Sequence, residues 1–352
     1  MRHRWRSPNL EGMSDARQNL GALGKGLRTR ALDPDASIDW ACSAKGWNCC
    51  VDKSITVYPY DLIRLRHTLG RSAQDLINEG TVTFTFVPSS GALTGMLARR
   101  SYGQGHEACI FLEEVTTGDL RARAQESPEA FRALPDFVQK AADSKAADWK
   151  VAGLCGVHTG RPLACRSFPF ARQRVFETGV ANEIRVNQVN HCGSCAFGNV
   201  TTTPREVLLD QQIEDYWRAG DVFEDLTVYF RSLGLTPIKV REGYGALPID
   251  SARLTQLWAS LYVPEANAEV VERWGESWRE HDDPARDLAI YRVLVESALI
   301  AAEALVAESG VDPATLGLDL ERGRAKRPDL DALLDPSRVL LPPAAERLPL
   351  VS

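Results

Sequence analysis

No stretch of 18 or more apolar residues occurs in this 352-residue chain, so nothing in it reads as a membrane span. Met1 to Arg30 is basic but has no apolar centre, and does not read as a secretory signal. Positive charge is not in excess. The 41 Lys and Arg stand against 47 Asp and Glu, for a net charge of −6. That excludes a broadly basic nucleic-acid binder and leaves room only for a local patch. No Gly-x-Gly-x-x-Gly follows a predicted strand, so a Rossmann-type dinucleotide or methyltransferase domain has no support. Gly21-x2-Gly24-Lys25-Gly26 lacks the spacing of a phosphate loop, and no strand precedes it. Wholesale disorder is excluded too, because 44% of residues are hydrophobic and 8% aromatic.

Cysteine is missing from the last 157 residues, and this absence gives the eight that exist their meaning. Cys42, Cys49, Cys50, Cys109, Cys155, Cys165, Cys192 and Cys195 all fall in one stretch. Eight random positions cluster this tightly only about once or twice in a hundred arrangements, so the group reads as one unit. Cysteine is too sparse for a disulfide scaffold. With no secretion signal the expected compartment is the cytoplasm, where clustered thiols serve metal or redox chemistry more often than disulfides.

The chain divides into three parts on composition. Residues 1–38 are polar, have no sustained apolar period and read as a mobile arm. Residues 39–203 carry all the cysteines, with short predicted strands at 82–86, 109–112, 175–176 and 184–189. Pro59 followed by Leu62, Ile63, Leu65 and Leu69 predicts a helix stopped at Gly70, and Ser72 predicts the cap of a short helix to Glu79. Within this part, 116–150 lacks cysteine and histidine, is rich in Ala, Lys and Asp, and reads as a helical insertion. Residues 204–352 read as helical, with segments at 204–218, 221–233, 251–262, 265–278 and 285–309. The expected fold class is α+β: an irregular cysteine-rich domain with short strands, then a mostly helical region.

Ligands to one metal must converge from rigid turns. Cys192-Gly-Ser-Cys195 has the spacing for two thiolates on one tetrahedral ion, and equally for a redox dithiol. Adjacent side chains diverge, so Cys49 and Cys50 read as serving two centres, or as one ligand beside one buried thiol. Arg161 and Arg166 flank Cys165 and are candidates to offset thiolate charge and donate hydrogen bonds to sulfur from outside the ligand shell. His106, His158 and His191 each lie within three residues of a cysteine and are candidate nitrogen ligands.

These segments carry a resemblance. Cys42…Cys49-Cys50, then Cys109-Ile-Phe-Leu, then Arg161-Pro-Leu-Ala-Cys165-Arg-Ser-Phe-Pro-Phe170 resembles the YkgJ-type cysteine-cluster family of zinc- or iron-chelating proteins. That family is marked by CxxCxxCC, C-x-F-L and RPxxCRxFPF segments. The chain is similar also to the flagellin lysine methylase branch, whose members are linked to an iron–sulfur cluster. The resemblance covers roughly residues 40–200 and implies that all eight cysteines form a metal site. Two departures are visible: the first segment lacks its middle cysteine, and the insertion is long.

The expected function is chelation of zinc or iron, as single ions or an iron–sulfur cluster, because thiolates select these metals. The alternative is an iron–sulfur enzyme in redox chemistry or protein lysine methylation, although no acid–base pair or nucleophile stands out. The expected partners are metal ions, with no membrane, nucleic acid disfavoured and a protein partner left open.

Overall fold

The computed structural model describes residues 29–39, 50–87, 91–103, 106–132, 142, 150–168, 170–177, 180–189, 201–235, 238–240, 243–245, 247–275, 278, 281–313, 327–338 and 340–341. The architecture is mixed α+β, and all its strand pairs are antiparallel. In chain order the strands used below are β1 (Thr29–Leu32), β2 (Ile38–Asp39), β3 (Thr56–Val57), β4 (Val82–Phe86), β5 (Leu93–Leu97) and β6 (Arg99–Gly103). They continue with β7 (His106–Cys109), β8 (Leu112–Thr116), β9 (Lys150–Cys155), β10 (Phe170–Glu177), β11 (Val180–Val189) and β12 (Thr201–Thr202). The helices are α1 (Pro59–Leu69), α2 (Ala73–Asn78), α3 (Thr117–Glu126), α4 (Leu163–Ser167) and α5 (Pro204–Asp210). After these come α6 (Glu214–Ser232), α7 (Ser251–Ser260), α8 (Ala268–Trp274) and α9 (Pro284–Ser309).

Local chemistry sets the helix ends. Pro59 opens α1, where its missing N–H costs nothing, and Gly70 closes it at φ 61°. The Ser72 side chain accepts the Asp75 N–H at 3.0 Å and starts α2. Asp283 caps α9 by accepting the N–H groups of Ala285 and Arg286, and Gly310 ends the helix at φ 66°. The segments expected at 204–218 and 221–233 are divided elsewhere: α5 stops at Asp210 and α6 runs unbroken from Glu214 to Ser232.

A three-stranded sheet, ordered β3-β5-β4, packs against the helices. Its central strand contains Gly95, where a Cβ would lie 2.8 Å from the Val57 carbonyl oxygen, so only glycine fits this close approach. Buried Leu62, Ile63 and Leu65 of α1 join one core with Phe223, Leu226 and Phe230 of α6, Trp258 of α7, and Ile290, Leu294 and Leu299 of α9. Trp258 takes the edges of Phe230 and Phe223 at centroid distances of 5.1 and 5.8 Å. This core crosses the compositional boundary at residue 204: the helical region and the cysteine-bearing region share it.

Arg64 and His67 of α1 hold the fully buried Asp287 of α9 at 2.7 and 3.0 Å. A second, smaller core joins Phe170 and Val186 to Val207, Leu208, Ile213 and Trp217. Beside it Arg172 grips Asp221 with two hydrogen bonds of 2.5 and 3.0 Å.

The structure differs from expectation at the end of the N-terminal arm. Thr29–Leu32 is a strand, paired with Val186–Val189 of β11, and β2 pairs with β12. The insertion is helical where it is described, in α3 and at Pro128–Arg132, and because β8 and β9 pair with each other, 117–149 is the connection of a hairpin. Among the described residues no helix is long and apolar enough to cross a membrane.

Candidate metal centre

Four of the eight cysteines lie among the described residues, and hairpin pairing carries them toward one place. Val51 bridges Ala108 in antiparallel fashion, which sets Cys50 beside the end of β7, where Cys109 stands. The Asp52 carboxylate reinforces the pairing by accepting the Glu107 N–H at 3.0 Å and bonding His106 Nδ1 at 2.6 Å. Three residues after Cys109, β8 begins, and its first residue, Leu112, lies opposite Cys155. The Gly156 N–H closes this end on the Phe111 carbonyl at 2.9 Å. From Cys155 the chain turns through 156–162 into the short helix α4, which carries Cys165.

Cys50, Cys109 and Cys155 are within electrostatic reach of Cys165, and Cys155 of Cys109. Cys109 is buried, and Cys50, Cys155 and Cys165 pack partly buried against the same core. Burial pushes the Cys165 thiol well above its ordinary range, and the charges of Cys155, Cys50, Cys109 and Asp61 push it further. Cys109 and Cys155 are also raised, again chiefly by burial.

Two features oppose that rise. The Phe111 N–H donates to the Cys109 sulfur and the Val157 N–H to the Cys155 sulfur, each from two residues further along. Arg100 near Cys109 and Arg161 near Cys155 add positive charge. The thiols are therefore neutral when left alone, yet donors are aimed at the charge they would carry if a cation displaced their protons.

Arg166 is buried, with 6% of its surface exposed. Its donors go to carbonyl oxygens and not to sulfur: Nε to Arg161 at 3.0 Å, Nη1 to Gln211 at 2.7 Å, and Nη2 to Thr159. Its guanidinium lies 4.3 Å from the Tyr216 ring centroid. This residue fastens the Cys155–Cys165 loop to the start of α6. Arg161 contacts His158, whose ring is held below its usual range by burial and by the two arginines.

Asp61 was not among the sequence candidates. It is 1% exposed and accepts the Tyr58 N–H at 2.8 Å and the Leu163 N–H at 2.9 Å. Burial pushes its carboxyl up to about 7, against the pull of those two N–H groups and of Arg166. The sequence signal was an acidic residue in the first turn of α1, which reads as an ordinary cap; its partner Leu163 lies 102 residues away.

His106 is engaged by Asp52 on β7. Cys42, Cys49, Cys192, Cys195 and His191 lie outside the described residues. Among the described residues, no three His, Cys, Asp or Glu side chains stand together as a metal site. Compared with protein-family models, with curated proteins and with solved structures, the chain matches none.

Proposed function

We propose that this protein binds zinc or iron through its clustered cysteine thiolates. The observation that carries the reading is the strand pairing around the described thiols: the Val51–Ala108 bridge sets Cys50 beside Cys109, Leu112 lies opposite Cys155, and all four, Cys165 included, belong to or pack against one core. Thiols packed this way repel one another once ionised, and a divalent cation removes that penalty while replacing the protons. The N–H groups of Phe111 and Val157 suit the same role, since hydrogen bonds to ligand sulfur orient and tune a metal site. The donor chemistry favours soft metals over magnesium or calcium.

The test is elemental analysis and visible absorption of protein purified without oxygen, because oxidation removes thiolate ligands. Zinc or iron near one or more per chain is expected. Less than about 0.2 metal per chain refutes the reading. Sulfur-to-iron charge-transfer bands assign the site to iron–sulfur chemistry, in redox reactions or protein lysine methylation. A colourless zinc protein assigns it to structural support.

A further inference from the structure

We propose that Asp61 is the positioning residue of the thiol group: it joins the first turn of α1 to the helical turn carrying Cys165, so that this thiol is presented to a metal without rearrangement. The inference rests on the metal-binding reading and names a residue outside the ligand set.

The geometry is specific. Oδ2 of Asp61 holds the Tyr58 N–H at 2.8 Å and Oδ1 holds the Leu163 N–H at 2.9 Å, so each oxygen serves a different segment. Both bonds satisfy helix-start amides that have no partner inside their own helices. Leu163 is the first residue of α4, and Cys165 follows two residues later, its own N–H bonded to the Pro162 carbonyl at 2.9 Å. The turn that bears the thiol therefore hangs from one buried carboxylate.

The loop before that turn is pressed onto α1 as well. At Gly160 a Cβ would collide with the Thr68 side chain and lie 3.1 Å from the Arg64 carbonyl oxygen. Arg166 secures the other side of the loop through Arg161, Thr159 and Gln211. With the loop already fixed from both sides, no ordering of the chain is left for the metal to bring about. Asparagine at position 61 has nearly the same shape but turns one acceptor into an N–H donor, which meets either the Tyr58 or the Leu163 N–H head-on.

The experiment compares cobalt and zinc affinity of the wild type and Asp61→Asn by competition with a chromophoric chelator, and records the cobalt spectra. Removal of an orienting partner outside the ligand shell typically costs about 10- to 100-fold in metal affinity. That loss, with an altered cobalt thiolate spectrum, is expected. Asn267→Ala is the control. It removes the cap of α8, a hydrogen bond of 3.1 Å to the Val270 N–H, away from the loop, and should lower the melting temperature with affinity and spectrum unchanged.

Unchanged affinity and spectrum in a folded Asp61→Asn protein overturn the positioning role while leaving metal binding intact. A wild type that binds neither metal overturns the metal-binding reading itself. If Asp61→Asn does not fold, amide exchange at Leu163 in the wild type decides. Slow exchange already present before metal is added supports the proposal, and exchange that slows only on loading overturns it.

Discussion

Residues 118–148 should be removable, with about four Gly or Ser residues in their place, without loss of the metal binding proposed above. The basis is the register of β8 and β9, paired from Leu112 and Cys155 to Thr116 and Lys150, so the ends to be joined are already neighbours across a hairpin. Adjacent strands lie about 4.8 Å apart, a gap a short turn spans. The connection between Thr116 and Lys150 is 33 residues long and falls to about six. Closure entropy scales as (3/2)RT ln n, so this shortening favours the folded state by about 1.5 kcal/mol. Against it stands the loss of α3, whose Leu120 is fully buried. A buried leucine contributes about 2 to 3 kcal/mol. The two effects nearly cancel, and the variant should lie within about 1.5 kcal/mol of wild type. Urea unfolding of the metal-loaded variant and elemental analysis measure both quantities. A soluble variant that has lost its metal, or one destabilised by more than about 3 kcal/mol, would show that the segment braces the thiols.

Three further outcomes are expected. Cys165→Ser should lower the melting temperature of metal-loaded protein far more than Ser167→Ala, whose hydroxyl is exposed and only 3.5 Å from the Ala164 carbonyl. A structural metal contributes folding free energy on the order of 10 kcal/mol, of which one ligand holds a part, and the serine should cost under about 1 kcal/mol. Equal melting temperatures at saturating metal remove Cys165 from the ligand set. Metal affinity should rise with pH. The Cys109, Cys155 and Cys165 thiols are raised above their ordinary range, so they are protonated near neutrality and binding must release protons. Below those raised values affinity should change by up to about tenfold per pH unit for each proton released, and a flat profile from pH 6 to 8 in zinc competition contradicts it. Cys49→Ser and Cys50→Ser should differ in cobalt spectrum or stoichiometry, because the side chains of adjacent residues diverge. Identical spectra with identical stoichiometry make the pair a chelate to one metal.

Local signals in the sequence located many of the elements. Pro59, the leucines of α1 and Gly70 mark a helix whose two ends are both punctuated, and Asp283 with Gly310 does the same for α9. The alternation of Val82, Phe84 and Phe86 marks a strand with one face toward the core. What was not legible depended on distant partners. Gly220 suggests a helix break, yet α6 runs through it. A Cβ there would come within 3.3 Å of the Leu163 side chain, so the glycine serves the approach of α6 to α4. Thr29–Leu32 has little apolar character of its own and becomes a strand because β11 offers it an edge. At the candidate site, the spacing of the thiols was visible and their support was not. Arg166 next to a cysteine suggests a hydrogen bond to sulfur, but a buried guanidinium is better satisfied by three fixed carbonyl groups. Asp61 shows the same limit: the bond that matters is to an amide 102 residues away.

The ion pair between Arg64 and Asp287 spans 223 residues of chain and bears on how the molecule is made. The helix that carries Arg64 also carries Asp61, and it rests on α9, which begins at Pro284. Synthesis proceeds at about 5 to 20 residues per second, so about 6 to 24 seconds separate the emergence of Cys165 from that of Pro284. Cys50, Cys109, Cys155 and Cys165 are therefore translated before the helix that completes their shared core has left the ribosome. Metal delivered in that interval meets a nascent chain whose loops are not yet fixed, and contacts of such long sequence separation form slowly. Until α9 emerges, the thiols of that core stand open to oxidation.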